Sequence, residues 1–424
     1  IRLMLPRDKV AAGLRRRNRR EKLFRFFGVA ATSVGIFFLV IFFYNLLAQG
    51  SSAFVQSFIT LDVTYSRGEL APAGRLDIAN ANFDGLARAA LREKLPTTES
   101  GNARREMNRL ISVGAGYLIR DAIEADPSLL GQTVTIDVPA AANVDLVLNG
   151  DIDRNLPEGR RAISDQQLAW IDVLVADGSL QSRFNRALFT NGDSREPELA
   201  GILGAVMGSF YMLIVTLAIS FPIGAGTAIY LEEFAPRNRW TDLVEISINN
   251  LAAVPSVIFG LLGLAVFINW LGIPRSAPLV GGLVLSLLTL PVIIIAARSA
   301  IQAVPRSIRE AALSVGASRM QVVLHHVMPL AMPGVLTGTI IGMSRALGES
   351  APLLMIGMVA FIVDVPASFS DPATALPVQI FLWADSPERA FAAKTSAAIL
   401  ILLGFLMLMN LAAVILRRKA ETSK

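Results

Sequence analysis

The chain has 424 residues, of which 53% are hydrophobic and 17% are charged, and its mean hydropathy is +0.53. Soluble domains have about 25% charged residues, so this composition excludes an ordinary soluble enzyme and a disordered chain and indicates a membrane protein. The sequence has no cysteine and only two histidines, the adjacent His325 and His326. It therefore offers no disulfide, no thiolate metal site and no His-rich metal site.

The first 25 residues are strongly basic, with ten Lys or Arg residues against Asp8 and Glu21. An uncharged apolar stretch at 26–47 follows and is long enough to cross a bilayer, which takes about 20 residues. Because the basic residues directly precede this stretch, the positive-inside rule explains them better than nucleic-acid binding does. We therefore predict a cytoplasmic N-terminus at 1–25 and a first transmembrane helix at 26–47, retained as an anchor rather than cleaved as a signal peptide.

Residues 48–198 form the polar part of the chain, with 15 basic and 21 acidic residues. Sequence periodicity predicts strands at 60–65, 133–138 and 144–148, and helices at 81–95, 102–125 and 180–188. Together these elements predict one α+β domain inserted between the first two spans. The segment has neither a phosphate-binding loop nor a catalytic triad, so we interpret it as a structural or docking domain rather than an enzyme.

Five further apolar stretches are long enough to cross a bilayer, at 199–230, 251–271, 279–297, 334–363 and 391–416. Basic residues are concentrated in every second loop and in the tail at 417–424. This distribution places both termini in the cytoplasm and residues 48–198 in the periplasm. The sequence therefore predicts an all-α membrane domain of six transmembrane helices, with a core at 199–416.

The segment 304–329, between the predicted fourth and fifth spans, carries helix start and stop signals. Ser307 and Glu310 have capping-box spacing, which predicts that a short helix begins there. Gly316 suits the left-handed residue that ends a helix, and Ser318 can cap a second one. We predict two short helices joined at Gly316 on the cytoplasmic face.

The order of residues in this loop, Glu310-Ala311-Ala312 followed by Gly316 and Pro329, resembles the E-A-A-x-x-x-G loop of ABC-importer permeases. Further strings over about 201–416 are similar to phosphate-importer permeases of the PstA type: Ala228 to Glu233, Ala253 to Ser256, Thr289 to Pro291 and Ala346 to Leu354. The resemblance implies the type I ABC importer permease (MetI-like) fold. It also implies that the loop couples the permease to a separate ATPase through Glu310, Ala311, Ala312, Gly316 and Ala317.

The same resemblance implies the function and the partners. The chain would be a permease subunit of an ATP-driven importer of inorganic phosphate in the bacterial inner membrane. Its partners would be a second permease subunit (PstC-like), two ATPase subunits (PstB-like), an extracytoplasmic phosphate-binding protein (PstS-like) and the lipid bilayer. A permease for another oxyanion (sulfate, molybdate or phosphonate), a membrane sensor and a secondary transporter are the alternatives.

No lysine of the chain follows a glycine, as the G-x-x-x-x-G-K-[ST] phosphate loop requires. We therefore predict no enzymatic site and no cofactor in this chain, with ATP and Mg²⁺ bound by the partner ATPase subunits.

Two charges fall inside the predicted fifth span, where a charge near the middle of the bilayer is costly. Arg345 and Glu349 are four residues apart and can pair on one helix face, and Pro352 should weaken the helix beside them. Either Arg345 attracts an oxyanion while Glu349 holds it in the absence of substrate, or the pair locks two helices together. Our predicted substrate pathway comprises Arg345, Glu349, Ser350 and, as a weaker candidate, Arg298 at the end of the fourth span.

Small residues recur at every fourth position in the same span, at Gly334, Gly338, Gly342, Ala346 and Ser350. This stripe predicts close packing against a neighbouring helix.

Overall fold

The N-terminal helix α1 (Pro6–Gly50) contains the predicted first span and the part of the basic segment from residue 6 onward, and residues 1–5 of that segment lie outside the described residues. The computed structural model describes residues 6–70, 78, 80–95 and 101–422, and the chain divides into two units at residues 1–49 and 50–424. Apolar side chains along α1, such as Phe26, Phe37 and Phe42, are exposed, as on a helix that faces lipid. The helix begins well before the predicted boundary at 26, because Arg, Lys and Leu all favour helix and neither proline nor a glycine pair interrupts it.

The polar segment folds around a three-stranded antiparallel sheet in the order β2-β1-β3, formed by β1 (Val55–Thr64), β2 (Thr133–Pro139) and β3 (Leu180–Phe184). Leu61 of β1 lies opposite Ile136, and Ser57 lies opposite Ser182. The helices of this insert are α2 (Arg67–Leu70), α3 (Phe83–Lys94), α4 (Gly101–Asn108), α5 (Gly114–Ala125), α6 (Ala142–Leu148), α7 (Asp165–Ala176) and α8 (Ala187–Thr190). Alternate residues of β1 are fully buried in a core shared with α3, α5 and α7.

Three of the six predicted elements in the insert are wrong or incomplete. The strands at 60–65 and 133–138 and the helix at 81–95 are confirmed. The predicted helix at 102–125 is broken between α4 and α5, where Ile111 forms a β-bridge with Ala140. The predicted strand at 144–148 is helix α6. The predicted helix at 180–188 is mostly strand β3, because pairing with β1 outweighs a short local pattern.

The rest of the described chain is mainly helical, with long helices joined by shorter ones. These helices are α9 (Leu203–Ile229), α10 (Arg239–Ala252), α11 (Ser256–Leu262), α12 (Pro278–Gln302), α13 (Arg306–Ser314), α14 (Arg319–Val322), α15 (Met328–Gly348), α16 (Ala351–Met355), α17 (Leu376–Ala384) and α18 (Ala390–Thr422). Segments of π-helix extend α9 through Tyr230–Phe234, extend α11 through Gly263–Trp270 and join α14 to α15 through Val323–Val327.

Within the described residues, five helices are long and apolar enough to cross a bilayer, and a bent pair makes a sixth if it counts as one span. The predicted third span at 251–271 is not one straight helix. Instead, α10 and the α11 segment meet at an angle of 103° across a break that contains Pro255. Proline lacks the backbone N–H and disfavours helical backbone angles at Val254 before it, which favours a break at this point.

The predicted fifth span at 334–363 is also corrected. Helix α15 ends at Gly348, Glu349 has extended backbone angles, and the short helix α16 follows. Pro352 in the first turn of α16 cannot donate to the carbonyl of Gly348, so the chain starts a new helix there rather than continuing the old one.

The stripe of small residues on α15 packs against α12, as predicted. An added Cβ at Gly334 would lie 2.6 Å from the Cβ of Ala300, and one at Gly338 would meet Ala296 even more closely. An added Cβ at Gly342 would lie 3.6 Å from Ile293, an ordinary van der Waals contact. The two helices therefore approach most closely along the first half of the stripe.

This packing predicts that a glycine-to-alanine substitution lowers the stability of the folded protein by different amounts at two positions of the stripe. Gly338→Ala should destabilise the protein by about 1–3 kcal/mol, because the backbones must move apart to admit the methyl group. Gly342→Ala should cost much less, because its methyl group has room. Thermal unfolding of both variants in detergent measures the difference, and equal melting temperatures would contradict the packing described here.

Candidate functional site

The E-A-A segment, Glu310 to Ala312, lies on helix α13. Residues 303–305 separate this helix from the end of α12 at Gln302. Pro305 is the N-cap residue, and α13 begins at Arg306, one residue before Ser307. The predicted capping box of Ser307 and Glu310 is therefore wrong, since no side chain caps this helix. The fixed φ angle of Pro305 sets the entry of the chain into the helix instead.

Gly316 ends α13 with a φ angle of +89°, in the left-handed region, as predicted. The turn is closed by two backbone hydrogen bonds, from Gly316 N to the carbonyl of Leu313 (3.0 Å) and from Ala317 N to that of Ala312 (3.2 Å). Ser318 then caps α14 in a reciprocal capping box with Gln321, also as predicted. The second helix is not short, because α14 continues through the π segment, where His325 and His326 are exposed, into α15.

Three large apolar side chains of this loop are exposed. Val315 is 85% exposed, and Leu313 and Met320 are about half exposed. Glu310, Ala311 and Gly316 are exposed beside them, whereas Ala317 is partly buried and Ala312 packs inward in a core cluster with Val322 and Val327. Exposed apolar side chains grouped in this way are typical of a protein–protein contact. We call Leu313, Val315 and Met320 the loop tip.

The base of the loop is fixed by Arg309. Its guanidinium donates to Glu233 Oε1 from Nη2 (2.7 Å) and from Nε (3.0 Å), and also to the backbone carbonyls of Val304 and Ile301. The Glu233 side chain is only 10% exposed, so this pair is well shielded from water. This contact was not predicted from the sequence, although two adjacent acidic residues at a span end near several loop arginines were a usable signal.

Arg298 belongs to a second ion-pair group at the same end of the helices. Its Nε lies 2.6 Å from Glu232 and its Nη2 lies 2.7 Å from Glu245, and Gln302 also donates to Glu232. Two carboxylates therefore already neutralise this guanidinium. The group joins the end of α9 and helix α10 to α12, so the structure gives Arg298 protein partners rather than a free charge.

Arg345, Glu349 and Ser350 lie together at the break between α15 and α16. The predicted pair is present, with Arg345 Nε 3.5 Å from Glu349 Oε1. Arg345 lies in the last turn of α15, before Gly348. Its side chain is 50% exposed, and this single long contact leaves most of its five N–H donors available.

The two predicted arginines do not share a site. Gly334 of α15 lies opposite Ala300 of α12, and Gly342 lies opposite Ile293, so Arg345 is displaced along the helices from Arg298 by about two turns. The structure thus separates the predicted residues into a group at the α15–α16 break and a group beside the loop.

Two known sequence families match different parts of the chain. Residues 220–422 match the family described as "Binding-protein-dependent transport system inner membrane component". Residues 11–158 match a "Domain of unknown function (DUF3333)".

Individual relatives match parts of the chain. Over 217 residues the chain is 30% identical to "Phosphate transport system permease protein PstA 1" of Mycobacterium tuberculosis (strain ATCC 25618 / H37Rv), covering 51% of this chain and 70% of that protein. Over 155 residues it is 37% identical to "Probable ABC transporter permease protein YqgI" of Bacillus subtilis (strain 168), covering 36% of this chain and 52% of that protein. The match thus spans about half the length of YqgI.

A solved structure, "Inward facing conformations of the MetNI methionine ABC transporter", aligns with 51% of this chain and 95% of its own. Its sequence identity is 20% and the TM-score is 0.42.

The ion pair at the loop base predicts that two arginines of one helix differ in importance. Arg309→Met should lower stability by about 1.5–3 kcal/mol, the usual contribution of a hydrogen bond to a charged group, because Glu233 loses its partner. Arg306→Met, on the same helix but exposed, is the control and should change stability little. Thermal unfolding in detergent measures both, and a stable Arg309→Met variant would contradict the anchoring role.

Proposed function

Because the chain belongs to the PstA-type family of ABC-importer permeases, we propose that it forms half of the translocation pathway of an ATP-driven phosphate importer. It is a multi-pass membrane protein with the type I ABC importer permease (MetI-like) fold, extended by an α+β insert, and it is a permease subunit rather than an ATPase. The observation that supports the choice of phosphate is the match to phosphate transport permeases over about half of the chain.

The exposed loop tip supports coupling to a separate ATPase. The tip is apolar, whereas the base of the loop is held to α9 by Arg309. A partner that binds the loop tip can therefore move the ends of the attached helices and not only the loop. The partner would bind ATP and Mg²⁺, and its closure would rock the helices between two arrangements.

The assembly that we propose has the composition that the family resemblance implies. This chain would pair with a second, PstC-like permease subunit and with two PstB-like ATPase subunits, and a PstS-like binding protein would deliver phosphate. The loop would lie in the cytoplasm and the insert in the periplasm of a bacterial inner membrane. Basic residues on the loop side, such as Arg237, Arg306 and Arg319, support this orientation.

The break between α15 and α16 is our proposed anion contact in the pathway. Arg345 is half exposed and is held by Glu349 through one long contact. An arriving oxyanion can occupy the free donors of the guanidinium, whose planar geometry suits phosphate, and replace Glu349. Ser350, the residue that precedes α16, lies close enough in sequence to add a hydroxyl.

Reconstitution tests the proposed function as a whole. The chain, with its second permease, ATPase subunits and binding protein, is placed in vesicles, and uptake of ³²P-labelled phosphate is followed with and without ATP. We expect ATP-dependent uptake that unlabelled phosphate suppresses and sulfate or molybdate does not. Suppression by sulfate or molybdate would indicate another oxyanion, and uptake driven by an ion gradient without ATP would indicate a secondary transporter.

The proposed anion contact gives a sharper prediction. Arg345→Ala should reduce phosphate uptake about 10- to 100-fold, which corresponds to losing a charged hydrogen bond of about 1.5–3 kcal/mol. Arg345→Lys should restore only part of the rate, because an ammonium cannot make paired planar contacts.

Arg389→Ala, which removes an exposed arginine before α18, is the control and should transport normally. Co-purification of all subunits with each variant checks that the complex assembles. Normal uptake by an assembled Arg345→Ala complex would reject the role and leave Arg345–Glu349 as a structural pair.

A further inference from the structure

Ionisable side chains are buried where the insert meets the first turns of α18. Lys394 of α18 and Glu198, in the segment before α9, are each 5% exposed, and Asp145 of α6 is partly buried beside them. Burying a charge is costly unless it is paired and hydrogen-bonded. The charges of this group must therefore be balanced by neighbouring charges, hydrogen bonds or bound protons.

The hydrogen bonds of the group do not pair its charges directly. The Lys394 ammonium donates to the backbone carbonyl of Ala200, and among the described residues no carboxylate lies within ion-pair distance of it. Asp145 accepts from the backbone N–H of Ser57 at 2.7 Å. The Ser112 side chain lies near Glu198 and favours its ionised form.

The charges of the group do not cancel. One ammonium faces two buried carboxylates, and Asp193 adds a third carboxylate that interacts with Lys394 across a longer distance. With both buried carboxylates ionised, an excess negative charge remains in a poorly solvated place. Other charged residues surround the group. The negative charge of Glu196 disfavours ionisation of Glu198, and Asp151 lies just after α6. A neighbouring cavity of about 650 Å³, which Glu198 borders, is also lined by Arg105, Arg109 and Glu388.

The surroundings of Asp145 and Glu198 raise the pKa of both carboxyl groups. Burial raises the pKa of Asp145 to about 6, although the Ser57 hydrogen bond and Lys394 oppose the shift, and Glu198 adds to it. Burial also raises the pKa of Glu198 above its usual value, although the nearby Ser112 side chain opposes the shift. Two interacting acids of this kind titrate as a pair.

A small cavity gives the group access to water. Its volume is about 40 Å³, and Asp145, Glu198, Lys394 and Asp151 are among the residues that line it. A water molecule needs about 10–15 Å³ of such space and several polar partners, and both are present. A proton can therefore reach the carboxylates while the surrounding core stays packed.

We propose that Asp145 and Glu198 hold one exchangeable proton between them and that this proton secures the insert against α18. With the proton bound, one carboxylate and the Lys394 ammonium remain charged, and the buried charges cancel. Without it, a second negative charge repels the first across the junction. The proposal concerns the insert and is independent of which substrate the permease carries.

The sign of the pH effect follows from the raised pKa values. A carboxyl group that binds its proton more tightly in the folded protein contributes stability that is fully present at low pH, below its usual pKa. That stability is lost as the pH rises towards and through about 6. The contact between the insert and α18 should therefore be most stable in mildly acid solution and less stable near neutral pH.

Hydrogen exchange on the full chain in detergent, corrected for the intrinsic pH dependence of exchange, measures this stability locally. Protection of the peptides covering 142–148 and 390–396 should fall about tenfold between pH 5 and pH 8. Asp145→Asn keeps the acceptor for Ser57 but leaves one carboxylate for one ammonium, so its protection should be nearly constant over this range. Glu198→Gln should behave in the same way.

Two further variants make the test specific. Lys394→Met removes the compensating charge, so the loss of protection should move to higher pH. Asp385→Asn, an exposed acid before α18, should keep the profile of the unmodified protein. The proposal is overturned if the unmodified protein shows no pH dependence, if Asp145→Asn and Glu198→Gln both keep its profile, or if Asp385→Asn is flattened as well.

Discussion

The contact of Arg309 with Glu233 is the constraint on which the proposed mechanism depends. An exposed loop can transmit force only if its base is stiff, and this guanidinium makes hydrogen bonds to a shielded carboxylate and to two backbone carbonyls at the end of α12. The left-handed Gly316 closes the loop above that base, so the apolar tip projects at a fixed angle. A flexible linker with the same exposed residues could bind a partner without moving anything else.

Close packing extends that stiffness through the bundle. Gly282 of α12 lets its backbone approach Val215 of α9, and Gly338 of α15 lets Ala296 of α12 approach on another side. Packed helices of this kind move as bodies rather than deform, because their interiors have little free volume. Displacement at the loop would therefore reach the far end of α15, where Arg345 and Glu349 meet.

The sequence predicted the features that depend on local or periodic patterns. The apolar helices, Gly316, the Ser318 cap and the small-residue stripe all follow from composition, backbone conformation or spacing, and so does the Arg345–Glu349 pair. It failed where distant residues decide the outcome. Residues 180–184 form a strand only because β1 pairs with them, and Arg298 turns to Glu232 and Glu245 only because the fold brings α9 and α10 beside α12.

The central claim is that the loop tip contacts a separate motor subunit, and cross-linking tests it directly. Since the chain has no cysteine, Val315→Cys introduces a single thiol at the tip, and Val173→Cys introduces one on the exposed face of α7 as the control. In the assembled complex, we expect a reagent with one thiol-reactive and one amine-reactive group to join position 315, but not position 173, to an ATPase subunit. Linkage of position 173 alone, or of neither position, would contradict the account.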